Sequence, residues 1–395
     1  MDTDAVPGVD RAHHGGTTDS DVLDFSANVN PETPPGVESA YRDAFAAARR
    51  YPDDDYGAFR TAAGDVVDCP ADAVVPTAGG LAALRLAVAT TVDPGDSVLV
   101  PSPGFSEYAR EIRLQGGRPS FAGQDRTAGA MQASTGDAAE RAGSTDAGTS
   151  TDKAGTPADD AAERATSEDA ETPIIDAPVE TLAGAAAVVV CTPNNPTGSL
   201  PEREELLDLA ARCREADTTL LVDEAFLGFT DQRSLAGIDG TIVLRSLTKL
   251  YGLPGLRAGY AVATGDHRDA LSTARQAWSL GTPAAAVGER ALGASSFVRR
   301  TKRRTRSERE RMAESLSQRY EVSPSEAPFF LLALDDGEAV DDLLDRCRRA
   351  GIAIRDARTF RGLDRHVRVA VRCPEENDQL LDVLLDGRLQ RRDEA

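Results

Sequence analysis

Short apolar runs recur along the chain, each leaving into glycine, proline or polar residues: Ala73–Val75, Ser97–Val100, Ala186–Cys191, Thr219–Val222, Thr241–Leu244 and Gly259–Val262. Runs of this length between turn residues predict strands. Between them apolar residues return at helical spacing, as at Leu81, Leu84 and Val88, and again at Leu206, Leu209 and Cys213. Such alternation predicts an α/β fold of three layers around a mostly parallel sheet. In such sheets ligands sit at the carboxyl ends of strands, so the residues just after each run carry the most information. Past about Ser295 the pattern changes. An Arg/Glu-rich helix over Arg299–Arg311 precedes a strand near Phe329–Leu334, a helix near Val340–Arg348 and strands near Ile352–Arg355 and Val367–Val371. This predicts a second, smaller α+β domain. The expected division is an N-terminal segment 1–48 joining the small domain and the site, a large domain 49–285, and a small domain 286–395.

One stretch follows neither period. From Ala122 to Thr172 the only large apolar residue is Met131, amid Ala, Gly, Thr, Ser, Asp and Glu. So little apolar surface cannot offset the entropy of ordering, which predicts a disordered acidic insertion inside the large domain.

Charge narrows the function classes. The 395 residues carry 65 acidic and 44 basic side chains, for a net charge of −21. Such a surface repels nucleic acid and anionic membranes. Only three of the basic residues are lysines: Lys153, Lys249 and Lys302. An acidic, lysine-poor chain is what very high intracellular salt would select, and a GC-rich genome would also favour arginine. Five widely spaced cysteines without a C-x-x-C pair argue against a disulfide framework and a zinc site. The first ten residues have no apolar core of a signal peptide, and the longest apolar run, Ala185–Cys191, is too short to span a bilayer. A cytoplasmic protein is expected.

The lysines single out a site. Lys153 falls in the insertion and Lys302 in the charged helix, but Lys249 directly follows a strand, in Ser246-Leu247-Thr248-Lys249. An amine there suits Schiff-base chemistry, which arginine cannot perform because it keeps its proton; the alternative is a plain surface lysine. Two further strand exits bear on the choice: Cys191-Thr192-Pro193-Asn194-Asn195-Pro196-Thr197-Gly198 and Asp223-Glu224-Ala225-Phe226.

These three motifs, in this order and about one βα unit apart, resemble the fold-type I pyridoxal-phosphate enzymes. The resemblance implies pyridoxal 5'-phosphate bound covalently to Lys249. It implies Asp223 on the ring nitrogen, Asn195 on the ring's phenolic oxygen and Phe105 stacked on its face. Gly79, Gly80 and Leu81, at the start of a helix, would hold the cofactor phosphate with Ser246, Thr248 and Arg257. Tyr51 would reach the cofactor phosphate of a neighbouring subunit, which implies a homodimer. His14-Gly15-Gly16, Leu23-Asp24-Phe25-Ser26-Ala27-Asn28, Arg50-Tyr51-Pro52-Asp53, Phe105-Ser106-Glu107-Tyr108, Trp278-Ser279, Ile354-Arg355-Asp356 and Arg368-Val369-Ala370-Val371-Arg372 are similar to the threonine-phosphate decarboxylases of cobalamin biosynthesis. That likeness implies decarboxylation of O-phospho-L-threonine to (R)-1-aminopropan-2-yl phosphate, with His14, Asn28, Arg355 and Arg368 around the substrate's anionic groups. Histidinol-phosphate aminotransferases share several of these motifs and are the alternative. They usually place Tyr where this chain has Phe226, and they usually lack the opening His-Gly-Gly.

Overall fold

The computed structural model describes residues 1–12, 14–125, 172–335 and 337–385. The first strand, β1 (Leu23–Asp24), is only two residues long. It is followed by β2 (Val74–Thr77), β3 (Ser97–Pro101), β4 (Arg118–Ala122), β5 (Ala187–Cys191), β6 (Thr219–Asp223), β7 (Thr241–Ser246) and β8 (Gly259–Val262). These seven form one sheet in the order β2-β8-β7-β6-β5-β3-β4. Every pairing is parallel except those of β8, which runs antiparallel to both of its neighbours.

The central strands explain the unbroken apolar runs. Along β5, Val188 and Val190 join one core while Ala187, Val189 and Cys191 join another. Both faces of the sheet are therefore covered, and neither face tolerates polar alternation. The expected strands all form, most with edges moved by a residue or two. The polar edge strand β4 was not expected. Its sequence, Arg-Pro-Ser-Phe-Ala, buries only Ala122 fully, because an edge strand needs little apolar content. The acidic insertion expected over 122–172 falls mostly on 126–171, outside the described residues. At its described margin the expectation is corrected: Ala122 ends β4, and buried Gln124 exchanges two hydrogen bonds of 2.8 Å with the Cys191 backbone.

The chain then continues through β9 (Glu321–Val322), β10 (Phe329–Ala333), β11 (Ile352–Ala353), β12 (Arg355–Asp356) and β13 (His366–Ala370). Four of these make an antiparallel sheet in the order β12-β13-β10-β9. The single strand expected over Ile352–Arg355 is two strands: β11 pairs with β1, while β12 pairs with β13. Phe25, just past β1, is fully buried against Phe330, Val369 and Leu380. The helix Ser295–Leu316 reaches both cores, with Phe297 in that of the large sheet and Met312 and Leu316 in that of the small one. No helix among the described residues is long and apolar enough to cross a membrane.

Candidate active site

The carboxyl ends of β2, β3, β5, β6 and β7 point to one side of the large sheet, and the segment after β1 and the β12–β13 pair close over it. Lys249 follows β7 and is joined to the N-terminal segment through its backbone, its carbonyl accepting from the Asn30 N–H at 3.0 Å. Its amine lies 6.0 Å from the Phe226 ring centroid. Burial first, then the Arg368 guanidinium, push this amine down to about 8, against an upward pull from Asp223. Neutral amine is therefore available near physiological pH, as a nucleophile requires.

Asp223 ends β6. Its Oδ1 accepts from the Ala225 N–H at 2.9 Å and its Oδ2 from the Tyr108 hydroxyl at 2.7 Å. Burial raises its carboxyl above the usual range, and these two donors oppose that rise. Tyr108 also meets Phe105 edge to face, with centroids 5.6 Å apart, and Phe105 lies 5.9 Å from the His14 ring. His14 Nε2 is 2.9 Å from the carboxylate of buried Glu107.

At the end of β2 the chain turns through Gly79, at φ +97°, into the helix Gly80–Thr91. A Cβ on Gly79 would lie 2.7 Å from Arg257 Nη2, and one on Gly80 3.1 Å from the Ser246 Cβ. The positive φ favours glycine at 79, and at 80 a side chain would crowd Ser246 by a few tenths of an ångström. Ser246 Oγ accepts from the Thr248 N–H at 3.2 Å. Leu81 sits half-buried in the first helical turn, packed on the same core as Phe105. Backbone N–H groups at a helix N-terminus, the Ser246 hydroxyl and the Arg257 guanidinium come together as groups that can hold an anion.

Across the site, Arg355 on β12 stands directly opposite Arg368 on β13. Arg368, only 5% exposed, donates to Asn195 Oδ1 and to the Ser26 carbonyl, the latter at 3.0 Å. No carboxylate among the described residues pairs with it. Burial, and then Arg355, push its guanidinium down to about 9. Because Asn195 turns its Oδ1 to the arginine, its amide NH₂ is left as a donor. Asn28 is buried with an unpartnered Oδ1, as is Asn194. Asn28 lies on the segment between Ser26, which holds Arg368, and Asn30, which holds the Lys249 backbone.

The structure thus links Lys249, Asp223, Phe105, Asn195, His14, Arg355 and Arg368 through contacts or close charge, and Gly79, Gly80, Ser246, Thr248 and Arg257 in one cradle. Tyr51 is different. It is 79% exposed and stacks on Trp278 with centroids 4.5 Å apart. Sequence reasoning quoted Tyr108 only as part of a motif and gave it no task, and it passed over Asn194; the spacing of Phe105 and Tyr108, three apart, was the available signal that both face one way.

These residues fit pyridoxal 5'-phosphate: an anion cradle, a buried carboxylate, an amide donor, an amine with lowered basicity and orphaned buried oxygens occur together at the strand ends. The comparisons agree. The family model for aminotransferase class I and II matches residues 20–134 and 159–384. The chain is 33% identical to the threonine-phosphate decarboxylase of Salmonella typhimurium over 93% of its length and 92% of the relative's. It is 30% identical to the histidinol-phosphate aminotransferase of Halobacterium salinarum, over 93% and 92%. Among solved structures it is similar to the histidinol-phosphate aminotransferase from Sinorhizobium meliloti in complex with pyridoxal-5'-phosphate, with a TM-score of 0.72 at 19% identity, covering 92% of this chain and 89% of that one. With its sheet order, its strand-end site and a family match along most of its length, the chain belongs to the class I and II aminotransferase family, a fold-type I group of enzymes dependent on pyridoxal 5'-phosphate.

Proposed function

We propose that this enzyme decarboxylates O-phospho-L-threonine, releasing carbon dioxide and (R)-1-aminopropan-2-yl phosphate, the amino-alcohol phosphate used in cobalamin assembly. The observation that carries this reading is the opposed Arg355–Arg368 pair. Like charges directly across a strand pair are destabilising, and Arg368, buried and paired with no carboxylate among the described residues, is the guanidinium to which a bound anion is the natural counterpart. The pair's preferred ligand is a phosphate dianion, which planar guanidinium groups recognise bidentately. His14 and Asn28 flank the same space.

In this reading Lys249 holds the cofactor covalently, Asp223 pairs with the ring nitrogen, Asn195 donates to the phenolic oxygen and Phe105 covers one face. Gly79, Gly80, Leu81, Ser246, Thr248 and Arg257 hold its phosphate, and Tyr51 reaches the site of a second copy in a homodimer. The cofactor, when bound, accepts the electron pair left at Cα by a broken bond. The protein decides which bond that is. By anchoring the substrate phosphate, Arg355 and Arg368 would present the carboxylate, and not the Cα hydrogen, as the group to be lost. Once carbon dioxide has left, the Lys249 amine returns a proton to Cα; with its basicity lowered to about 8 it can carry and release one near neutrality. Phe226 offers no hydroxyl, in keeping with the decarboxylase pattern.

The test is an assay in molar salt with pyridoxal phosphate, O-phospho-L-threonine and no keto acid. Carbon dioxide and aminopropanol phosphate are expected in equal amounts, and Lys249→Ala abolishes both. Amino transfer from histidinol phosphate to 2-oxoglutarate, without carbon dioxide from phosphothreonine, would replace this reading with transamination.

A further inference from the structure

Tyr108 is a buried titratable group for which the reaction above has no use. It lies on the helix Glu107–Leu114, is 1% exposed, and aims its hydroxyl at Asp223 Oδ2 from 2.7 Å. A phenol so placed can act on Asp223 only as a donor, since burial holds its proton far above neutrality. Of the other groups near Asp223, the Cys191 thiol also meets the Tyr108 hydroxyl, whose oxygen can accept while its proton goes to Asp223. That thiol, at the end of β5, lies within reach of the Pro193 carbonyl as well. Glu224 turns away, accepting from Ser234, the Leu235 N–H and Arg245 at 2.6–2.9 Å. The Lys249 amine adds positive charge from β7. Asp223 therefore receives one donor on each oxygen, and each oxygen keeps further capacity to accept.

We propose that Tyr108 is a positioning residue of the cofactor site, its hydroxyl fixing Asp223 as an ionised acceptor for the protonated ring nitrogen. A carboxyl group that kept its own proton would have to turn a donor toward a neighbour; the phenol's fixed proton disfavours that state at Oδ2. The inference rests on reading Asp223 as the partner of the ring nitrogen.

The experiment uses holoenzyme loaded with pyridoxal phosphate labelled with ¹⁵N in the ring. Tyr108→Phe removes one oxygen and keeps the ring that packs on Phe105. The nitrogen resonance is expected to move toward its unprotonated position, and cofactor affinity to fall about tenfold, the loss typical of one hydrogen bond to a charged acceptor. In an Asp223→Asn background the same change should cost almost nothing, because the charge it serves is gone. An unmoved resonance in Tyr108→Phe, or an equal affinity loss in both backgrounds, overturns the proposal. An unmoved resonance in Asp223→Asn alone overturns the reading of Asp223 itself, and the proposal with it. Wild-type holoenzyme gives a check that needs no variant: a ring nitrogen that loses its proton across neutral pH also refutes the role of Tyr108.

Discussion

Replacing Arg368 with methionine should leave the stability of the fold nearly unchanged and weaken catalysis, a contrast that separates a ligand-binding residue from a structural one. Burial and Arg355 bring the guanidinium from its ordinary range down to about 9, and at about 1.4 kcal/mol per pH unit that is a cost of roughly 5 kcal/mol to the charged form. Its hydrogen bonds to the Ser26 carbonyl and Asn195 Oδ1 return on the order of 3 kcal/mol between them. Methionine keeps the apolar contact with Phe329 and Phe360 that the arginine makes, but it leaves both the Ser26 carbonyl and Asn195 Oδ1 short of a donor, a loss of about 1 kcal/mol each. The apoprotein of Arg368→Met is therefore expected to stay within about 1 kcal/mol of the wild type in urea titration. For O-phospho-L-threonine, loss of a charge-assisted bidentate contact should lower kcat/KM by about 100-fold or more. A variant destabilised by more than about 2 kcal/mol would make Arg368 a strut between the Ser26 and Asn195 segments. Unchanged kcat/KM would move the substrate anion elsewhere.

Other consequences are quicker to check. Only the neutral Lys249 amine attacks an aldehyde, so the rate of pyridoxal phosphate incorporation into apoenzyme should rise with pH and level off above about 8; a midpoint near the ordinary lysine value would contradict the burial and the Arg368 charge that lower it. In Gly79→Ala the new Cβ meets Arg257 Nη2 at 2.7 Å and the backbone is held at φ +97°. Cofactor affinity, read by fluorescence titration, should drop about tenfold or more, roughly the value of a charge-assisted contact, and undiminished affinity would remove Arg257 from the cradle. With a net charge of −21, thermal unfolding should shift upward from dilute to molar salt as self-repulsion is screened; a flat response would leave the composition to codon bias.

Much of this architecture is legible in the sequence because burial on both faces leaves few choices. Val188, Val189 and Val190 are apolar in succession since each faces one core or the other, so the strand shows plainly. Direction does not. Gly259–Val262 has the same apolar character as its neighbours, yet it runs antiparallel to both, and nothing in its composition encodes that. The same limit hides the break at Ile354: a continuous run gives no sign that Ile352 pairs with Leu23 while Arg355 pairs with Arg368.

The site divides along the same physical line. Asp223, Asn195 and Lys249 are chemically unusual where they stand, each polar directly after an apolar strand, and a polar group in such a place needs a reason. Tyr108 is not unusual by composition, since an aromatic residue on a helix that buries Ile112 and Leu114 reads as core. Its significance lies in one hydrogen bond made across 115 positions of sequence, which only the packing of that helix against the end of β6 creates. Arg355 and Arg368 are intermediate. Arginine in a short strand usually means an exposed edge, and it is the observed register, with no carboxylate paired to Arg368 among the described residues, that makes these two ordinary residues the proposed anion site. Residues that act through their own chemistry can therefore be found from sequence, whereas residues that act by setting the state of another group emerge only when the fold brings the two together.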